Sequence, residues 1–460
     1  MSRGVEGSRR SESAVRTNRR RFLQSTAGGV AVGLAGCTSN GNGNGNGGDG
    51  GDGGDGGGDG PTEDGGTDTP QRSSPIKLGV LAPLPDNTSF GEAMADSVRL
   101  MATQLNNDGG LLGVDVEVVV KDTELSPDTA RQAYRELILQ DEVDATFGVF
   151  SSESHLAIID DIAQQQTVHV AGGTGTTQLN QLVRDDYESY KYWFRNLQNG
   201  DIQGMNQGLF AQEQFDDIGW SDIALLVEDI EGYKSYASGF RANLPDSVTI
   251  QVDENFAAGT EDYRPLFRRA ENNDVDAVWI YASVTGATAV NQWSRSQADF
   301  ELGGVLVAAS NPNFYRNVDG AQYTVTAIVG GTPAYRPTEM TTAFIEAYQA
   351  EFDKLPPDYT GYTTYDAVLA WVTAVQEVGT TDADTVVPAL ENVSYTGTMG
   401  TVEYYPRDHK WAHDVKYGEG LVVPPVVQWQ AGDGPDGKQA LLWPESVDTD
   451  AYQAPPWVSR

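Results

Sequence analysis

The fold is decided by the stretch Ile76-Lys77-Leu78-Gly79-Val80-Leu81-Ala82-Pro83-Leu84, a short β-rich apolar run that follows a tract of almost purely polar residues. Further apolar runs of this kind follow, and amphipathic helical stretches alternate with them. The predicted strands are 76–81, 114–120, 144–150, 167–171, 222–227, 248–252, 276–282, 304–309 and 324–330. This alternation is typical of parallel sheets covered by helices on both faces, so we predict an α/β fold.

The helical stretches carry their apolar residues on one face. The first has Met94, Val98, Met101 and Leu105 at helical spacing and stops at the glycine C-cap signal Asp108-Gly109-Gly110. Two late helices, 341–352 and 365–378, also need a sheet to cover. Because four βα units precede the stretch 195–204 and four follow it, the pattern predicts two doubly wound lobes joined by several crossovers.

Polar turns follow two neighbouring strands of the first predicted lobe. Strand 144–150 leads into Ser151-Ser152-Glu153-Ser154, and strand 167–171 leads into Gly172-Gly173-Thr174-Gly175-Thr176-Thr177. Parallel strands open both turns at the carboxyl edge of the sheet, where open α/β sheets bind ligands. Hydroxyls and backbone N–H groups at a helix N-terminus predict an anion-binding site. The alternative is that Ser152 and Thr174 only cap their helices.

Several motifs along the chain resemble type I periplasmic-type solute-binding proteins, of the leucine/isoleucine/valine-binding kind that serve ABC importers. In order they are the opening stretch 76–84, Phe90-Gly91, 105–113, Val120-Lys121-Asp122-Thr123, Gly148-Val149-Phe150-Ser151-Ser152, Tyr365-Asp366-Ala367-Val368 and Gly397-Thr398-Met399-Gly400. The resemblance runs from about residue 76 to about residue 444. It implies two doubly wound lobes joined by three crossovers, which close over a small polar solute about a hinge.

The resemblance also implies which residues contact the solute. Contacts to a ligand carboxylate fall on Ser152, Gly172 and Thr174, and we include the adjoining Ser151 and Gly173. Phe90 falls at an aromatic position over the ligand, Tyr233 at the tyrosine that the second lobe brings down on closure, and Ser283 is a further contact.

Asn311 departs from the family pattern. Amino-acid-binding members have an acidic side chain here that holds the ligand ammonium, whereas Asn311 offers a neutral amide. Either Glu228, Asp229 or Glu231 substitutes for it, or the ligand is a carboxylate without an α-ammonium, an amide or a urea-like molecule. The expected partners are therefore a small polar solute (amino acid, amide or organic acid) and the ABC permease subunits.

The N-terminal segment carries an export signal. Asn18-Arg19-Arg20-Arg21-Phe22-Leu23-Gln24 is typical of a twin-arginine signal, and the single cysteine, Cys37, follows Leu34-Ala35-Gly36 in a sequence that resembles a lipobox. The apolar segment is shorter than the ~20 residues of a membrane span. We therefore predict a signal over 1–37, lipidation of Cys37 and attachment to the outer face of the cell membrane. The alternative is a chance buried cysteine inside a simple secretion signal.

The charge composition points to a saline environment. The chain has 30 Lys+Arg and 66 Asp+Glu, and residues 1–36 hold seven Arg and two Glu, so the rest carries 23 − 64 = −41. Such a surface repels itself unless molar salt shortens the screening length to about 3 Å. We predict a halophilic protein that does not bind nucleic acid. With one cysteine, the monomer has no internal disulfide, and its stability must come from the core.

Enzymatic signatures are weak. The sequence contains no Gly-x-Ser-x-Gly elbow or P-loop, and Gly172-Gly173-Thr174-Gly175 is too short for a dinucleotide fingerprint. His409 and His413 have metal-like spacing only if helical, and Pro406 and Trp411 favour a loop. His155 and His169 lie near the predicted cleft without a positioned nucleophile. We therefore predict no enzyme activity, cofactor or metal.

The predicted domain organisation follows from these patterns. The segments are the signal 1–37, a disordered Gly/Asn/Asp linker 38–75, lobe 1 (76–195 plus 334–400), lobe 2 (196–333 plus 401–445) and a C-terminal tail 446–460. The predicted function is the lipid-anchored solute-binding subunit of an ABC importer. The alternatives are a ligand-sensing module of a membrane receptor, a secreted hydrolase, or an amide-, urea- or organic-acid-binding protein of the same fold.

Overall fold

The first sheet consists of five parallel strands. They are β1 (Ile76–Ala82), β2 (Val116–Asp122), β3 (Ala145–Gly148), β4 (His169–Ala171) and β5 (Trp193–Arg195), in the spatial order β2-β1-β3-β4-β5. The intervening helices are α1 (Ser89–Asn107), α2 (Pro127–Leu139), α3 (Ser152–Gln165), α4 (Gln178–Asp185) and α5 (Tyr187–Tyr190). The computed structural model describes residues 72–84 and 89–459. The predicted signal, Cys37 and linker residues 38–71 lie outside the described residues.

The second sheet contains four parallel strands. They are β6 (Asp222–Glu228), β7 (Thr249–Phe256), β8 (Ala277–Ala282) and β9 (Glu301–Leu306), in the order β7-β6-β8-β9. The helices that accompany them are α6 (Gly200–Ile218), α7 (Glu231–Asn243), α8 (Arg264–Glu271), α9 (Gly286–Ser296) and the short α10 (Phe314–Asn317). Strands β6 and β8 are buried on both faces, as expected of a parallel sheet covered by helices.

A third, antiparallel sheet adjoins the second one. Its strands β10 (Val325–Ala327), β13 (Val426–Gln430) and β14 (Lys438–Trp443) lie in that order. Leu306 N at the end of β9 donates to Thr326 Oγ1 of β10 over 3.4 Å. Strands β11 (Tyr395–Thr396) and β12 (Thr401–Val402) form a separate two-stranded ladder.

The late helices α11 (Glu339–Phe352), α12 (Tyr359–Val378) and α13 (Ala383–Leu390) return to the first sheet. Ser97 Oγ of α1 donates to Gly361 O of α12, and the Trp371 ring meets Phe147 of β3 edge-on at 6.2 Å. The chain therefore passes between the two sheets after β5, after β10 and after β12. The predicted α/β fold with two parallel sheets is confirmed.

Element boundaries differ from the predictions at several places. Strand β9 ends at Leu306, and Val307–Ser310 forms a 3-10 turn where the prediction extended the strand to residue 309. Helix α12 starts at Tyr359 rather than 365, because Asp358 caps it by accepting from Thr360 N. The lobe boundaries remain a proposal, and the β11–β12 ladder spans the one drawn at residue 400. Among the described residues, none of the helices is both long and apolar enough to span a membrane.

Candidate ligand-binding cleft

A cavity lies where the carboxyl ends of the two parallel sheets face each other. Its volume is about 360 Å³, which suits a small solute. The first lobe contributes Leu125, Phe150, Ser151, Ser152, Glu153, Gly173, Gly175 and Tyr359 to its lining. The second contributes Glu228, Ile230, Gly232, Tyr233, Tyr236, Ala258, Gly259, Ser283, Val284, Thr285, Val305, Val307 and Val329. The cavity is thus mostly apolar, with a few polar groups converging on it.

Ser151 and Ser152 have different roles at the start of α3. Ser151 is the N-cap: its Oγ accepts from Ser154 N at 3.1 Å and donates to Ser154 Oγ at 2.8 Å. Ser152 Oγ accepts from Thr176 N at 3.2 Å, so it ties the two polar turns together. A hydroxyl that accepts one bond still has its proton to donate. Ser152 can therefore donate to a ligand in the cavity that it lines.

Thr174 lies behind the cavity wall, where its side chain contacts the buried His155. Trp193 Nε1 donates to His155 Nε2 at 2.8 Å, and Thr174 Oγ1 lies 3.2 Å from His155 Nδ1. Burial lowers the pKa of His155 well below its usual value, and His169 and Arg195 add to that shift. The neutral imidazole therefore carries its proton on Nδ1 and donates to Thr174 Oγ1. Thr174 keeps its own hydroxyl proton available, and of its neighbours Gly173 lines the cavity whereas Gly172 lies against Thr364.

A buried arginine fixes the backbone of the second turn. Arg195 Nη1 donates to the carbonyls of Thr174 (3.1 Å) and Thr176 (2.8 Å), and its Nε and Nη2 donate to both oxygens of Asp414. Burial raises the pKa of Asp414, and the Arg195 charge opposes that shift. Arg195 lies at the end of β5, and its bidentate partner Asp414 is 219 positions away in the sequence. A long-range ion pair therefore holds the arginine that fixes the second polar turn.

The second lobe presents tyrosines and a buried carboxylate. Tyr233 and Tyr236 lie on α7, with ring centroids 5.6 Å apart, and Ser283 lines the same cavity. Burial, with Glu228 nearby, raises the pKa of Tyr233 well above its usual value, so its hydroxyl stays protonated. Glu228 ends β6 and accepts from Gly259 N at 3.1 Å and from Ser283 N at 2.6 Å.

Phe90 and Asn311 line a smaller neighbouring cavity of about 170 Å³, which shares Ser283, Val284 and Val307 with the main one. The Phe90 ring stacks on Phe150 with centroids 3.9 Å apart, so it supports the wall of the main cavity from behind. Asn311 Oδ1 accepts from Asn313 N in a local turn. The structure thus brings Ser151, Ser152, Gly173, Tyr233 and Ser283 into the lining of the main cavity, and places Phe90, Gly172, Thr174 and Asn311 beside it.

Hydrogen bonds join the two lobes at one side of the cavity. Glu231 N at the start of α7 donates to Glu153 Oε1 of α3 at 2.8 Å, and Gln178 Nε2 of α4 donates to Glu231 Oε1 at 2.5 Å. Ser310 Oγ also donates to Asp358 Oδ2 across the lobes at 2.7 Å. These contacts require the lobes to be close together, so the structure represents a closed arrangement.

The side chains of His409 and His413 take part in packing and hydrogen bonding. His413 Nδ1 lies 2.9 Å from Trp193 O, and its Nε2 lies 2.9 Å from Glu391 Oε1. The His409 ring stacks on Tyr405 with centroids 4.3 Å apart. Within residues 72–84 and 89–459, no group of His, Cys, Asp and Glu side chains could hold a metal ion.

The comparison with family models decides the classification, because the periplasmic binding protein family matches residues 75–420. The chain belongs to the periplasmic binding protein family. It is therefore a binding protein and not an enzyme. No match was found among the curated proteins.

Solved structures share the fold at low identity. An ABC transporter substrate-binding protein from Sphaerobacter thermophilus is 21% identical with a TM-score of 0.68, covering 82% of this chain and 98% of that one. The branched-chain amino acid binding protein LivJ from Streptococcus pneumoniae, solved with isoleucine, is 18% identical with a TM-score of 0.65, covering 80% and 100%. An R. palustris solute-binding protein, solved with benzoate, is 16% identical with a TM-score of 0.64, covering 80% and 96%.

Besides Phe150, which ends a predicted strand but was not named as a ligand contact, the sequence interpretation missed two aromatic residues of the cavity, Tyr236 and Tyr359. Tyr236 lies one helical turn after Tyr233 on α7, so the tyrosine repeat at helical spacing was a usable signal. Tyr359 opens α12 behind the Asp358 cap, in a part of the chain where the prediction placed no helix. Neither residue stands next to a predicted strand end, which is where ligand contacts are expected in a parallel sheet.

Proposed function

We propose that the protein is the solute-binding subunit of an ABC importer of the branched-chain amino acid type, which captures a small polar solute by closing two lobes over it. The observation that carries the proposal is the cavity between the carboxyl ends of two parallel sheets, with Ser152 and Tyr233 in its lining from opposite lobes. Family membership and similar folds solved with isoleucine or benzoate support it.

Closure supplies the mechanism. A ligand that binds the first lobe through Ser151, Ser152 and Gly173, with Gly172 and Thr174 supporting that wall, gains contacts from the second lobe only when the lobes meet. Ligand binding therefore favours the closed state. The second-lobe contacts are Tyr233, Ser283 and, beside the cavity, Asn311, with Phe90 supporting the wall. The bonds from Glu231 N to Glu153 and from Gln178 to Glu231 then hold the lobes together. The closed form presents the loaded protein to the permease subunits.

Attachment to the membrane completes the proposal. The lipobox-like sequence supports lipidation of Cys37 after export by the twin-arginine route, and the Gly/Asn/Asp tract behind it supports a linker between that anchor at the outer face of the cell membrane and the rest of the protein. The acidic surface supports a halophilic setting and argues against nucleic acid as a partner.

The anchor is tested by Cys37→Ser. We expect this variant to be exported but released into the medium, because the thioether-linked lipid can no longer form. Immunoblots of membrane and medium fractions measure the distribution, and Ser39→Ala, two residues after the lipobox cysteine, is the matched control. Retention of Cys37→Ser in the membrane fraction at the unmodified level would contradict lipidation.

A further inference from the structure

The charges around the cavity are of one sign. Its lining includes two carboxylates, Glu153 and Glu228, and no Lys, Arg or His among the described residues that line it. Glu153 is an exposed residue whose Oε1 already accepts from Glu231 N. Glu228 is 3% exposed and is thus the buried acid of the cavity. An anionic ligand would therefore meet no cationic side chain in this lining.

The carboxylate of Glu228 is fixed but not saturated. Its Oε1 accepts from Gly259 N at 3.1 Å and its Oε2 from Ser283 N at 2.6 Å. A carboxylate has about four acceptor positions, so two remain for a donor in the cavity. Within the part of the chain that the structure describes, Glu228 forms no ion pair with a Lys, Arg or His. The two backbone hydrogen bonds offset only part of the desolvation cost of a carboxylate that is buried without a cation.

The other acids near the cleft cannot play the same part. Asp229 is exposed and lies outside the lining, and Glu231 is bound to Gln178 and to Lys234 at 2.7 Å. Asn311 occupies the position at which the resemblance implies an acidic side chain, and it lines the smaller cavity. Of the acids near the cleft, Glu228 is the one positioned to take over the role of that acidic side chain.

The surrounding rings suit a positive charge as well. Phe150, Tyr233, Tyr236 and Tyr359 contribute aromatic side chains to the same lining. The electron-rich face of such a ring attracts an ammonium within about 6 Å of its centre. At the first lobe, the Ser152 hydroxyl and the N-terminal N–H groups of α3 suit a carboxylate.

We infer that Glu228 binds an ammonium group of the solute, so that the protein takes amino acids or other zwitterions and discriminates against simple carboxylates such as benzoate. This inference rests on the proposed solute-binding function and names its ligand class. The ligand carboxylate lies towards Ser152 and the ammonium towards Glu228, with the apolar body against Val305, Val307 and Val329.

Calorimetric titration in molar KCl with three related ligands tests the charge requirement. They are L-leucine, 4-methylpentanoate, which lacks the ammonium, and 3-methylbutylamine, which lacks the carboxylate. We expect L-leucine to bind about 10- to 100-fold more tightly than 4-methylpentanoate, the scale of a lost charge-assisted hydrogen bond. Equal binding of the two would overturn the inference but leave solute binding intact. Absence of binding by all three would contradict the proposed function itself.

Glu228→Gln tests the residue. The substitution keeps the side-chain size and should weaken the binding of L-leucine by about 10- to 100-fold. The binding of 4-methylpentanoate should stay unchanged or become slightly tighter. Glu301→Gln is the matched control, since Glu301 is a buried glutamate of the same sheet that accepts from Trp220 Nε1 and lies outside the cavity lining. Unchanged leucine affinity in Glu228→Gln, with a folded protein by circular dichroism, would overturn the assignment.

Discussion

The Ser152 hydroxyl is available for ligand binding because a different serine caps α3. The cap of α3 is Ser151, and the Ser152 oxygen instead accepts from Thr176 N of the neighbouring turn. Its proton is donated to no described residue and the side chain lines the cavity. The sequence alone left both capping and ligand binding open for Ser152, because both serines follow the same strand end.

Replacing Ser152 by alanine removes that donor. We expect Ser152→Ala to weaken solute binding by about 1–3 kcal/mol, the scale of a hydrogen bond to a charged group, while α3 stays capped by Ser151. Calorimetry with L-leucine measures the loss. Ser97→Ala is the matched control, because it deletes a buried hydroxyl whose bond to Gly361 O lies outside the cavity lining. Equal affinity of the two variants would show that Ser152 only joins the turns.

At the scale of elements, the pair α6 and α7 positions the tyrosines. A Cβ atom at Gly204 of α6 would overlap the Tyr236 carbonyl oxygen of α7 and would lie 2.5 Å from Phe240 N. The two helices therefore approach closely enough that only glycine fits at this crossing. Because α7 carries Tyr233 and Tyr236, the distance between these helices sets where both rings enter the cavity.

Gly204→Ala should separate these helices. We expect a loss of about 1–3 kcal/mol in the free energy of unfolding, the usual effect of overpacking, together with weaker solute binding. Denaturant unfolding measures the first effect. Gly361→Ala on α12 is the control, since the nearest atom to its Cβ would be Ser97 Oγ at an ordinary 3.4 Å. That variant should be neutral or slightly stabilising. A neutral result for Gly204→Ala would contradict the packing described for α6 and α7.

The elements also show what sequence could and could not predict. Strands β1, β6 and β8 are continuous apolar runs and were predicted within about two residues, in keeping with their burial on both faces. Strand β5 has only three residues, β13 pairs with β10 about 100 residues earlier, and β14 pairs with β13, so local patterns did not reveal them. The Arg195–Asp414 pair joins positions too far apart for any local pattern to indicate.

For the whole molecule, charge sets the conditions of stability. From Cys37 onward the formal net charge is 23 − 64 = −41. Mutual repulsion destabilises the folded state in dilute buffer, whereas molar salt screens it and favours apolar burial. We expect the melting temperature to rise steeply with KCl or NaCl into the molar range, as measured by differential scanning fluorimetry. A melting temperature that is indifferent to salt would contradict the halophilic interpretation.

Closure of the two lobes over a solute is the central claim, and a distance measured across the cleft tests it most directly. Spin labels on Asp128→Cys and Ala257→Cys, both exposed, report on opposite lobes in a Cys37→Ser background. Pulsed electron paramagnetic resonance should show that saturating L-leucine shifts the distance distribution towards the separation in the closed structure. An unchanged distribution, at a leucine concentration that saturates binding by calorimetry, would contradict capture by lobe closure.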